Sequence, residues 1–165
     1  MRRMLVAATA ALLVMTPGVL AAQIDLGGQA NWADDADLGL GARVAVGLPA
    51  VPLEAIGSFD YFFPDGDVDY WEINANVAYS FSLPGSPVKP YAGGGLSYAH
   101  VGADLPTGGS VSDSDVGVNL LGGVKFSLPR FEPFGEARIE LGGGEQFVLT
   151  GGLMFNVGPG FAAAR

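Results

Sequence analysis

The chain has 165 residues, which suits one domain rather than several. Its 8 Lys and Arg face 17 Asp and Glu, a formal charge of −9, and no basic patch offers itself to nucleic acid. Cysteine is absent, which excludes disulfide staples, and the mean hydropathy is positive although acids are plentiful.

Residues 1–22 read as a cleaved signal peptide. Arg2 and Arg3 form a charged start, residues 4–15 an apolar run, Pro17 and Gly18 a break, and Ala21 and Ala22 a small-residue cleavage site. The run is too short to cross a bilayer as a helix, which takes about 20 apolar residues. Without Arg2 and Arg3 the charge falls from −9 to −11. No later apolar run is long enough either. A chain that is greasy on average but never greasy for long suits alternating strands, whose side chains point to opposite faces.

That alternation recurs through residues 23–157. Strand one, residues 23–32, sets Ile24, Leu26, Gly28, Ala30 and Trp32 against Asp25, Gln29 and Asn31. Strand two, 38–47, sets Leu38, Leu40, Ala42, Val44 and Val46 against Arg43 and glycines. Strand three, 53–62, sets Leu53, Ala55, Phe59 and Tyr61 against Glu54, Ser58 and Asp60, with Ile56 and Phe62 out of pattern. Strand four, 71–81, is the clearest. Trp71, Ile73, Ala75, Val77, Tyr79 and Phe81 share one face, and Glu72, Asn74, Asn76 and Ser80 the other. Strand five, 89–100, is glycine-rich, with Ala92, Leu96 and Tyr98 on its apolar face. Strand six, 115–126, puts Val116, Val118, Leu120, Val124 and Phe126 opposite Asn119 and Lys125. Strand seven, 134–141, opposes Ala137, Ile139 and Leu141 to Glu136, Arg138 and Glu140. Strand eight, 146–157, opposes Phe147, Leu149, Leu153, Phe155 and Val157 to Thr150 and Asn156. Residues 158–165 are left as a short tail.

The connections fall into two kinds. Three carry Leu-Pro and a later proline (48–52, 83–90 and 128–133), where a missing N–H harms no ladder. The other four (33–37, 63–70, 101–114 and 142–145) are acidic or glycine-rich and contain no Lys or Arg. The expected fold is therefore all-β: an eight-stranded antiparallel up-and-down transmembrane barrel, with both termini and the proline turns on the periplasmic side. Aromatic residues group at strand ends, as two interfacial girdles would require. Trp32, Tyr61, Tyr70, Trp71, Tyr98 and Phe147 make one group, and Tyr79, Phe81, Phe126 and Phe134 the other. A soluble barrel of lipocalin type is the competing architecture, with the apolar face turned inward around a ligand.

On the polar face, Arg43, Glu136 and Arg138 fall near mid-barrel, Asp25, Glu54 and Lys125 below them, and Asp60, Glu72 and Glu140 near the outer mouth. Eight strands leave room only for side chains, so these charges are expected to pair into an ionic plug. A narrow path for cations is the sharper alternative. The acidic loops read as solvated surface, or as weak sites for divalent cations bridging to anionic lipid. Asp65, Asp67 and Asp69 open like a calcium loop, but Asn76 stands where the closing Glu belongs. His100, the single histidine, has Ser97 three residues back on the opposite strand face, so the pair is misplaced for proton transfer. No catalytic, cofactor or metal residues are assigned, and no enzyme activity is expected.

The mature chain resembles the small eight-stranded outer-membrane barrels of OmpA and OmpX type. Residues 150–157, Thr-Gly-Gly-Leu-Met-Phe-Asn-Val, resemble the family's C-terminal assembly signal, with Thr150, Gly152, Phe155 and Val157 in the matching places. Pro90-Tyr91-Ala92-Gly93-Gly94-Gly95-Leu96 is similar to a fifth strand of such barrels. The resemblance implies recognition by the barrel-assembly machinery, residence in the lipid of a Gram-negative outer membrane, and a monomer. Three functions compete: a structural barrel with a salt-bridged lumen, a small cation-preferring pore, and a surface interaction protein acting through its acidic loops.

Overall fold

The clear alternation of residues 71–81 becomes part of the fourth of eight strands that close on themselves. The computed structural model describes residues 23–48, 51–64, 66, 68–104, 109–142 and 145–157. The strands are β1 Gln23–Ala33, β2 Asp37–Gly47, β3 Leu53–Phe62, β4 Val68–Ser80, β5 Val88–Asp104, β6 Ser110–Phe126, β7 Glu132–Leu141 and β8 Gln146–Asn156. Each pairs antiparallel with its neighbours in sequence, and β1 pairs with β8, from Asp25↔Asn156 to Ala33↔Val148. Closure leaves no strand edge within the cylinder. Among the described residues no helix is long and apolar enough to cross a membrane. The expected signal peptide and tail, residues 1–22 and 158–165, lie outside the described residues.

Turn chemistry explains the end where the chain enters and leaves the barrel, here the terminal end. Leu83-Pro84-Gly85-Ser86 closes with Ser86 N donating to Leu83 O at 3.1 Å, and Gly85 takes φ of 76°. Proline pre-sets the second position of such a turn, and glycine accepts the positive φ of the third. At the opposite, loop end, Asp37 takes φ of 56°, a conformation aspartate tolerates better than most residues. Asp34 ties that loop to β8: its Oδ1 accepts from Phe147 N at 2.8 Å.

The long hairpin β5–β6 differs from expectation. Residues 101–104 and 110–114, read from sequence as loop, are strand, paired from Val101↔Asp113 to Asp104↔Ser110. β4 likewise begins at Val68 and β7 at Glu132, inside segments read as connections. Backbone pairing continues there because the neighbouring strand supplies partners, while alternation has stopped because no greasy face is needed. β6 pairs with β7 only from Val118↔Leu141 onward, so residues 110–117 form a ribbon with β5 alone.

The apolar face of every strand points outward. Leu40, Val77, Leu120, Ile139 and Leu149 are all about half exposed, while Glu72, Asn74, Asp60 and Arg138 are buried at the axis. This is the reverse of a soluble ligand-binding barrel. Two members of the predicted girdles are corrections: Tyr70 and Phe134 face inward, at 9% and 5% exposure. They share strand parity with Glu72 and with Glu136 respectively, and parity decides direction regardless of height. The remaining girdle residues line the outer wall, where Trp71 stacks between Phe59 (6.0 Å) and Tyr98 (5.7 Å), and Tyr79 packs on Phe81 (4.9 Å).

Candidate functional site: the polar lumen

All nine charged residues assigned to the polar face point inward, and their contacts sort them into layers. Nearest the terminal end, Lys125 pairs with Glu54 and stands 4.0 Å from Glu132. Asp25 beside them accepts from Asn156 Nδ2 (2.9 Å) and Gln23 Nε2 (3.2 Å). Above this layer, Ala45, Ile56, Ala78, Tyr91, Leu121, Phe134 and Met154 form a buried apolar cluster inside the barrel.

Arg43 lies on that cluster, its guanidinium 4.4 Å from the Phe134 ring centre, and its Nη2 pairs with Glu136 Oε2 at 2.6 Å. Tyr91 OH donates to the same oxygen at 2.8 Å. The ring face of Phe134 attracts the cation while Glu136 neutralises it. Gly152 makes room for this ring, since a Cβ there would stand 2.6 Å from Phe134 Cε1.

Asp60 behaves differently from expectation. The sequence groups it with the acids of the outer mouth and calls for an ionic partner. It is fully buried, and among the described residues its carboxylate is held by neutral donors alone. Gln29 Nε2 (2.6 Å) and Asn31 Nδ2 (2.7 Å) donate to Oδ1, and Ser58 Oγ (2.9 Å) and Asn74 Nδ2 (3.2 Å) to Oδ2. Four oriented dipoles replace the water lost on burial, so the charge needs no counter-ion in contact. The cage extends sideways: Thr150 Oγ1 donates to Asn31 Oδ1 (2.7 Å), and Asn119 Nδ2 to Asn74 (2.9 Å) and Asn76 (3.0 Å).

Arg138 is the second correction. Sequence height placed it at mid-barrel with Arg43 and Glu136. Instead it serves the layer toward the loop end, with Nη2 3.1 Å from Glu72 Oε2 and Nε 2.8 Å from Glu140 Oε1. A long side chain leans along the strand, so its charge sits away from its own Cα level. Tyr70 and Gln146 complete the layer: Tyr70 OH donates to Glu72, and Gln146 Nε2 donates to Glu140 Oε2 (2.9 Å) and to Glu72. A second apolar cluster, Ala33, Ala36, Phe62, Tyr70 and Val148, packs at the loop end.

Sequence reasoning assigned no lumenal role to Tyr70, Tyr91, Phe134, Glu132 or Gln146. Parity carried the information for each, because each sits an even number of residues from an inward-facing neighbour. His100 is also clarified. It faces outward, 5.1 Å from Trp71, and its Nδ1 lies 2.7 Å from Ser114 Oγ, while Ser97 is buried in the lumen. Among the described residues no carboxylate bonds to His100, and no group of three or more His, Asp or Glu is placed to hold a metal. Asp65 and Asp67 of the calcium-like stretch lie outside the described residues. Of the assembly-signal positions, Thr150 faces the lumen and Phe155 the outer wall, and Val157 N donates to Ile24 O at 2.8 Å.

No protein-family model matches the chain, and neither does any curated protein sequence. Solved structures do match. The N-terminal β-barrel domain of Pseudomonas aeruginosa OprF superposes with a TM-score of 0.69 at 15% identity, covering 81% of this chain and 96% of that one. Neisserial surface protein A gives 0.62 at 21% identity, with 81% and 96% covered. The attachment invasion locus protein Ail of Yersinia pestis, solved with the heparin analogue sucrose octasulfate, gives 0.52 at 17% identity, with 82% and 95% covered. The chain therefore has the fold of the eight-stranded outer-membrane β-barrels.

Proposed function

We propose that the chain is a structural, non-enzymatic barrel of the outer membrane, held in lipid by its outward apolar wall and closed along its axis. The carrying observation is the layered lumen: ion pairs, an apolar cluster, the Arg43–Glu136 pair, an amide cage and a second ionic layer in succession. An apolar constriction resists wetting, and each ion above or below it already has partners. In this reading residues 1–22 are removed on export, and both termini lie in the periplasm. Thr150, Gly152, Phe155 and Val157 address the assembly machinery, and the barrel works as a monomer.

Planar-bilayer recording tests the closed axis. The parent is expected to show no discrete conductance steps, and Leu121→Gly, which removes bulk from the apolar cluster, is expected to introduce them. Steps in the parent that Glu72→Gln abolishes would establish the cation-preferring pore instead.

A surface interaction role is the second reading, favoured by the β5–β6 ribbon with its exposed Asp113 and Asp115. Ail was solved with a sulfated, polyanionic ligand. The acidic loop end of this chain would repel such a ligand, so any partner here is neutral or cationic, or is bridged by divalent cations.

A further inference from the structure

β6 outruns one of its two neighbours. It pairs with β5 along its whole length, from Val88↔Phe126 to Asp104↔Ser110, but with β7 only as far as Val118↔Leu141. There the chain leaves β7 through Gly142, at φ of 84°. Residues 110–116 therefore form a strand edge, and all seven are exposed. At about 3.3 Å per residue such an edge runs for about 20 Å, the length of an ordinary strand.

The backbone of this edge is unpaired. Ser114 N donates to Asp113 Oδ1 at 2.9 Å, which marks its N–H as pointing away from β5. Antiparallel pairing repeats every two residues, so Ser112 and Val116 turn their N–H and C=O groups the same way. Among the described residues no other backbone group bonds to them from beyond β5. The Asp113 carboxylate thus stands where the carbonyl of a further strand would accept. The space beside the edge is open: Asp113, Ser114 and Asp115 line a cavity of about 410 Å³, with Glu140, Gly142 and Gln146 across it. Asp113 and Asp115 share strand parity with the inward Asn119, and Ser112, Ser114 and Val116 lie on the other face.

We infer that this edge docks an extended segment of another protein as an added strand, one with Lys or Arg at alternate positions. Main-chain bonds to Ser112, Ser114 and Val116 hold the segment, and its basic side chains, all on one face, meet Asp113 and Asp115. Asp113 releases Ser114 N to the incoming carbonyl and turns to the incoming cation. A second copy of this chain fits worse, because edge against edge would gather four Asp on one face. The inference rests on the surface-interaction reading and gives that role its partner chemistry.

The probe is the peptide Thr-Lys-Val-Lys-Val-Lys-Thr, titrated at physiological salt against the barrel in zwitterionic micelles. Calorimetry is read together with hydrogen exchange at the amides of Ser112, Ser114 and Val116. The peptide is expected to saturate and to slow those amides. Its backbone N-methylated form keeps the charge but cannot donate to a strand, and is expected to bind about tenfold or more weakly. Ser112→Pro removes one edge N–H without taking a bond from β5, and is expected to weaken binding likewise with the heat-dependent gel shift unchanged. Ser112→Ala is expected to bind as the parent does. Undiminished binding of the methylated peptide, lost in Asp113→Asn/Asp115→Asn, would overturn strand addition and leave a purely electrostatic surface role standing. Parental binding in that double variant would overturn the charge match. Silence of both peptides would overturn the added strand and the cationic-partner reading together. Amides slowed without peptide, and more so as barrel concentration rises, would assign the edge to a second copy and overturn the inference.

Discussion

Asp60 and Arg138 show two solutions to one problem, the cost of holding charge where water is excluded. Asp60 is solvated by four side-chain dipoles, whereas Arg138 is wedged between Glu72 and Glu140. Removing one partner of a buried pair strands the other, at about 3–5 kcal/mol. Arg138→Ala is therefore expected to lower the melting temperature in detergent and to reduce stability by that order. An unchanged melting curve would show that the layer contributes nothing. Gly41 depends on Asp60 in a different way, since a Cβ there would stand 2.0 Å from Asp60 Oδ1 and 2.8 Å from Phe59 O. Gly41→Ala is expected to cost about 1–3 kcal/mol, as overpacking does, measured by urea unfolding in lipid vesicles. Which residues face the axis was legible from parity alone. Which of them touch was not, because contacts across a lumen join strands distant in sequence, such as Arg43 on β2 and Glu136 on β7.

At the level of elements, alternation located all eight strands, and the turns marked by Leu-Pro fell where the chain reverses. It failed where strands run past the greasy zone. Residues 110–115, Ser-Val-Ser-Asp-Ser-Asp, carry no two-faced pattern because both faces of the ribbon are wet. The register Val101↔Asp113 to Asp104↔Ser110 is set by propagation from the barrel below. Cutting the ribbon back should therefore leave the cylinder intact. Replacing residues 102–112 by Asn-Gly, a two-residue hairpin turn, is expected to change thermal stability by less than about 1 kcal/mol. Loss of the heat-dependent gel shift in that variant would mean that the ribbon nucleates closure.

For the whole molecule, the decisive feature is that the apolar wall is outside and the ions inside. If hydrocarbon covers that wall, Leu120→Arg at 54% exposure is expected to cost about 2–4 kcal/mol in equilibrium unfolding from vesicles. In a water-facing wall the same substitution would be neutral. The fold was readable because lipid imposes a strict period of two. The apolar cluster around Leu121 and Phe134 was not, since inward-facing apolar residues look like lapses in the pattern until the cylinder is closed.

The placement of the two tryptophans carries a practical consequence. Trp32 closes β1, Trp71 lies near the start of β4, and both sit on the outer wall at the loop end. Their intrinsic emission therefore comes from a single leaflet boundary. Brominated lipid confined to one leaflet will quench nearly all of it or almost none, which makes the unlabelled protein its own reporter of insertion direction.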